Sequence, residues 1–151
     1  MTLSEPFVVE PGPRTGPFKV LAGGDRTGGQ ALFGDAKMGP KVPGPPRHVH
    51  KNEDEAIYVI EGTLTFDVDG RRFEAGPGAF VWMPRERPHS FSNLSTTPAW
   101  AFGVFLPPDV ERFFEEQEQY FASLAGPPDE DVLGAMAAKY GITFLGPPLS
   151  A

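Results

Sequence analysis

Between residues 63 and 68, polar Thr63, Thr65 and Asp67 alternate with apolar Leu64, Phe66 and Val68, the period of a strand with one buried face. Asp69-Gly70 follows at once, a pair that tolerates the positive φ angles of a type I′ turn, and residues 71–74 return as the second strand of a hairpin. Further short apolar runs at 18–21, 31–38, 56–60, 79–83, 89–94 and 99–106 are separated by Gly- and Pro-rich breaks at 22–29, 39–46, 75–78 and 84–88. The pattern predicts a mainly β chain, an antiparallel sandwich or barrel. The break at 22–29 lacks phosphate-loop spacing and a following apolar helix, so it reads as a hairpin connection.

From Pro107 the period becomes helical. Val110, Phe113, Phe114, Gln117, Tyr120, Phe121 and Leu124 fall on one stripe, apolar at every position except Gln117. A second Pro-Pro-Asp start at 127–129 leads into Val132, Leu133, Met136 and Tyr140, with Gly141 as the stop. Residues 1–17 hold four prolines and two glycines and read as an irregular arm. The division expected is an arm at 1–17, a β barrel at 18–106 and a helical appendage at 107–151, whose stripe packs on the barrel and partly covers its opening.

Composition narrows the chemistry. With 151 residues, 40% of them hydrophobic, the chain can bury a sizeable core. Thirteen Lys and Arg against 20 Asp and Glu give a net charge of −7, which disfavours nucleic acid and anionic membrane as partners. There is no cysteine, which excludes disulfides, thiolate metal sites and a cysteine nucleophile. The first thirteen residues lack the basic and apolar regions of a leader, and no run of about 20 apolar residues offers a membrane span, so a soluble cytoplasmic protein is expected.

The three histidines are the candidate chemistry. His48 and His50 lie at i and i+2, so on a strand both imidazoles leave the same face. Glu55 follows closely enough to return a carboxylate to an ion held there, with Glu53 and Asp54 as competitors, and His89 opens a later strand. Three imidazoles and a carboxylate suit one divalent transition ion (Fe, Mn, Ni, Cu or Zn) with a coordination position left open. The Arg85-Glu86-Arg87 turn reads as solvated surface.

Residues 44–62, GPPRHVHKNEDEAIYVIEG, resemble the first motif of the cupin superfamily through His48, His50, Glu55 and Gly62; residues 78–93, GAFVWMPRERPHSFSN, resemble the second through Gly78, Pro84, His89 and Asn93. The motif's Glu-to-Gly spacing favours Glu55 as the carboxylate and leaves Glu53 solvated or paired with Lys51. Two departures concern turns: the first motif's leading Gly falls at Val42, with Gly44 two residues late, and the second motif's Gly after Pro84 is replaced by Glu86. The resemblance implies a jelly-roll barrel, the double-stranded β-helix, with metal ligands His48, His50, Glu55 and His89. A single cupin with a Pro-Pro-Asp-led helical tail and the closing segment at 138–142 is similar to small bacterial quercetinase-type cupins. That similarity implies a dioxygenase acting on a small aromatic or enol compound, with Glu55 as ligand or general base. The alternatives are a non-redox isomerase, lyase or cyclase and a noncatalytic small-molecule binder. The expected partner is an apolar or aromatic small molecule, and a homodimer is left open.

Overall fold

The computed structural model of the chain describes residues 4–151. Ten strands and two helices follow one another as β1 (Phe18–Ala22), β2 (Leu32–Met38), β3 (Pro46–His50), β4 (Asp54–Glu61), β5 (Leu64–Val68), β6 (Arg71–Ala75), β7 (Phe80–Met83), β8 (His89–Ser92), β9 (Ala99–Leu106), α1 (Glu111–Ser123), α2 (Glu130–Ala138) and β10 (Ile142–Pro148). They form two antiparallel five-stranded sheets, β1-β2-β9-β4-β7 and β10-β3-β8-β5-β6. Residues 4–17 carry no strand or helix. The arm is fastened by an ion pair from Arg14 to Asp35, whose other carboxylate oxygen accepts from the Trp100 indole at 3.1 Å.

The alternation at 64–68 is realised as the β5–β6 hairpin, in which Asp69 and Gly70 take φ of 56° and 80°. Inward-facing Val59, Leu64, Phe66, Met83 and Ala101 fill the space between the sheets, apolar side chains brought out of water by the period-two pattern. A second cluster joins Leu32, Phe105 and Ile142 of the barrel to Val110, Phe113 and Met136 of the helical region, so the start of the stripe is buried as expected. Phe121, further along, stays 45% exposed. On α2, Met136 and Ala137 at its C-terminal end are buried, whereas Val132 near its start is 42% exposed. Asp129 caps α2 by accepting from the backbone N–H groups of Asp131 and Val132.

Residues 107–151 are not wholly helical. The last seven residues of regular structure, β10, lie along β3, with Ile142 opposite His50 and Phe144 opposite His48. Gly146, Pro147 and Pro148 disguise this strand in the sequence, and they are tolerated because β10 is an edge, where missing N–H donors face away from the ladder and the register shifts locally.

The two motif departures have separate physical outcomes. At the position where the second motif has glycine, Glu86 holds φ of 63° and donates its backbone N–H to His50 O at 2.7 Å. A side chain in this left-handed region costs about 1–2 kcal/mol, part of which glycine's greater unfolded-state entropy would offset. Glu86→Gly is therefore expected to raise stability by about 0.5–1 kcal/mol, a rise of roughly 1–4 °C in Tm by differential scanning fluorimetry. A fall in Tm would show that the Glu86 side chain contributes more than its backbone strain costs. The first motif's glycine is met by Gly44, not Val42: a Cβ there would lie 1.8 Å from Phe91 O.

Candidate metal centre

His48 and His50 project from β3, His89 starts β8, and the register sets His48 directly opposite His89. Glu55 comes from β4 in the facing sheet, where it pairs with Phe105 and Met83. The four side chains are buried, and one potential ligand atom from each lies within 4.8 Å of the others. The structure thus brings together the four residues expected from the sequence.

Each imidazole is fixed from behind through Nδ1. His48 Nδ1 donates to Pro46 O at 2.7 Å, His89 Nδ1 to Arg87 O at 3.1 Å, and His50 Nδ1 to a Glu53 carboxylate oxygen at 3.1 Å. A carbonyl oxygen can only accept, so the protons of His48 and His89 are placed on Nδ1 and their Nε2 atoms turn inward. Glu53 is therefore not a solvated residue paired with Lys51. It is 1% exposed and orients His50. The sequence signal was its place three residues after His50, where the chain leaving β3 folds back beneath the ring. The competing Asp54 instead faces outward, ion-paired with Arg85 at 2.9 Å.

The donor set fits a cation. His48 Nε2 and His50 Nε2 are 3.1 Å apart with both Nδ1 protons already committed, so two lone pairs face each other across a gap that a positive charge would bridge. Burial, reinforced by the neighbouring His89 and His50, depresses the His48 pKa to about 3, so this ring is neutral and ready to ligate at physiological pH. His89 Nε2 lies 3.0 Å from Glu55 Oε2. Burial opposes charge on both partners, but the hydrogen bond and mutual attraction outweigh it, raising the His89 pKa and lowering that of Glu55. The contact thus favours the protonated form of His89 and the ionised form of Glu55.

An ion taking the His89 Nε2 lone pair would have to displace the proton that this contact favours there. Because the His89 pKa is raised above its usual 6.5, metal uptake is expected to release a proton from His89 below the raised value, and progressively less as pH rises through it. Calorimetric titration in buffers of different ionisation enthalpy measures this release. A release that does not fall as pH is raised would contradict the assignment. His48 bears on the apo fold with the opposite sign: its pKa is depressed, so the unfolded chain binds the extra proton and stability falls as pH drops from about 6.5 toward 3.

A cavity of about 410 Å³ opens from this cluster. His48, His50 and Glu55 contribute to its wall, alongside Phe18, Ile57, Phe91, Phe105 and Ile142 of the barrel and Phe113, Phe114, Gln117 and Phe121 of α1. The helix thus forms one side of the chamber. Asn93, the motif's last residue, serves the backbone instead: its amide donates to Met38 O, Gly39 O and Thr97 O. Among the described residues no helix is long and apolar enough to cross a membrane.

Residues 35–105 match the family model described as Cupin domain. Over 96 residues the chain is 30% identical to quercetin 2,3-dioxygenase of Bacillus subtilis, an overlap of 64% of this chain and 28% of that protein. The chain therefore spans little more than a quarter of that relative's length. Its structure superposes on a sugar phosphate isomerase of the cupin superfamily from Silicibacter pomeroyi with a TM-score of 0.51 and 28% identity, covering 60% of this chain and 59% of the other. A predicted oxalate decarboxylase from Thermotoga maritima shares the fold with a TM-score of 0.56 at 22% identity, covering 60% and 78%.

Proposed function

Since residues 35–105 belong to the cupin domain family, we propose that the chain is a metal-dependent enzyme of dioxygenase type acting on a small aromatic or enol compound. His48, His50 and His89 are the nitrogen ligands, and Glu55 is a fourth ligand or the general base. The observation that carries this reading is the set of Nδ1-anchored imidazoles turned toward Glu55 beside an otherwise apolar chamber. A divalent ion held there would polarise a substrate oxygen and bring redox or Lewis-acid chemistry to it.

The chain's own residues divide the remaining work. Were His89 Nε2 to hold an ion, the Glu55 carboxylate would give up its 3.0 Å hydrogen bond to that nitrogen and could join the ligand set or accept a hydroxyl proton from a molecule in the cavity. Glu53, Pro46 O and Arg87 O keep the three rings from turning. The phenylalanine walls exclude water and favour a flat, weakly polar substrate. No lysine or arginine is among the residues lining the cavity, so a phosphorylated sugar, the kind of substrate named for the Silicibacter pomeroyi protein, would lose its phosphate hydration without a cationic partner.

Metal analysis of the purified protein, joined to oxygen-electrode screening with catechols, flavonols and diketones, tests the proposal. Oxygen uptake dependent on metal is the expected result; turnover without oxygen would replace it with a non-redox reaction, and absence of turnover with retained ligand binding would make the barrel a binding module. Glu55→Gln is expected to retain metal and to lower kcat by about 10²–10⁴-fold if Glu55 is the base. Unchanged kcat in that variant would remove the role.

A further inference from the structure

Gln117 is the one polar position in the α1 stripe, and in the folded chain its side chain reaches the cavity. Apart from His48, His50 and Glu55, every other residue lining that cavity is apolar or glycine. The remaining polar contacts of α1 bind the helix in place. Glu111 accepts from Gly24 N at 3.0 Å, Glu116 accepts from Tyr140 Oη at 2.7 Å and pairs with Lys139, and Glu118 accepts from Thr15 Oγ1 at 3.1 Å. Gln117 is half-buried and makes no side-chain hydrogen bond among the described residues.

A carboxamide carries two donors and two acceptor lone pairs, and leucine would suit this position better if it only packed against Phe113, Phe114 and Phe121. The cavity is thus polar at two places, the histidine and Glu55 cluster on the strands and Gln117 on the helix.

We infer that Gln117 is a specificity-determining residue whose carboxamide hydrogen-bonds a hydroxyl or carbonyl group at the far end of a flat aromatic ligand, while the ligand's near oxygen faces the metal cluster. The inference rests on the proposed function only for the near end. Its physical basis is that a polar site left unpaired penalises a ligand lacking the matching group, whereas apolar walls discriminate weakly.

The test uses metal-loaded protein, free of oxygen so that no probe turns over, with two flavonols that differ at one place: 3-hydroxyflavone and its 4′-hydroxy derivative. Both offer the same oxygen pair at one end, and only the second carries a hydroxyl at the other. Dissociation constants are read from the flavonol absorbance shift. The wild type is expected to bind the 4′-hydroxy probe about five- to tenfold more tightly. Gln117→Leu should keep the metal content, bind the two probes equally and hold 3-hydroxyflavone more tightly than the wild type does, because no carboxamide is then left unpaired. Gln117→Asn, shorter by one methylene, should show an intermediate preference. The same preference in Gln117→Leu as in the wild type would overturn the inference, and so would a wild type that binds the two alike or binds neither. Because binding is read without oxygen, failure of the dioxygenase reading leaves this result standing, and the reverse also holds.

Discussion

His89→Ala is expected to lower metal affinity by more than about 100-fold and to leave the purified protein with little or no bound ion. The reason is that it removes one of three nitrogen donors from a buried group whose potential ligand atoms all lie within 4.8 Å of one another. Glu53→Ala is expected to lie one step below, at about 10–100-fold, the usual cost of losing the group that orients a metal-bound histidine. Glu53→Gln separates orientation from charge, since its amide oxygen can still accept the proton of His50 Nδ1 across the present 3.1 Å. It should bind within a few-fold of the parent. Metal content by elemental analysis and affinity by chelator competition check the series. Stoichiometric metal in His89→Ala would sink the ligand assignment, and Glu53→Ala indistinguishable from the parent would make the His50 contact incidental.

The contrast between these two residues shows what kind of information the linear pattern carried. His48 and His50 were legible because a strand's period of two fixes their common face, and His89 because residues 78–93 resemble the second cupin motif, in which it stands between Pro84 and Asn93. Glu53 was not legible. Its neighbour Asp54 is outward and ion-paired while Glu53 is buried, a distinction set by the bend between β3 and β4, where no period applies. The β10 strand was hidden for a different reason, its glycine and prolines, which obey edge-strand rules that only the final sheet order reveals.

That strand also changes what removal of residues 107–151 would mean. Without β10, the edge of β3 beside His48 and His50 would be exposed as well as the cavity's helical wall, so loss of metal would follow from either change. Point substitutions on α1, such as those at Gln117, address the wall while leaving the sheet intact.

Gly44→Ala is expected to be severely destabilising. Gly44 lies two residues before β3 and passes so close to β8 that a Cβ would sit 1.8 Å from Phe91 O and 2.9 Å from Phe91 C. Both atoms are backbone, so no rotamer change can relieve the overlap. The approach is also held by a hydrogen bond from Gly44 N to Ser92 Oγ at 3.0 Å. Relief requires the chain entering β3 to separate from β8, and those two strands carry all three histidines, with His48 opposite His89. Backbone overlap of this kind belongs to the severe class of substitutions, at least about 3 kcal/mol, which for a chain of this size is a fall of roughly 6–12 °C in Tm. Metal affinity should fall with it, because the His48 and His89 Nε2 atoms would move apart. Gly76→Ala is the matching control: it has open space around the added methyl and should stay within about 0.5 kcal/mol of the parent. Thermal unfolding of both variants, with and without added metal, gives the comparison. A Gly44→Ala protein as stable as the Gly76→Ala protein would show that the two strands are not held in this approach, and the close register that brings the histidines together would lose its support.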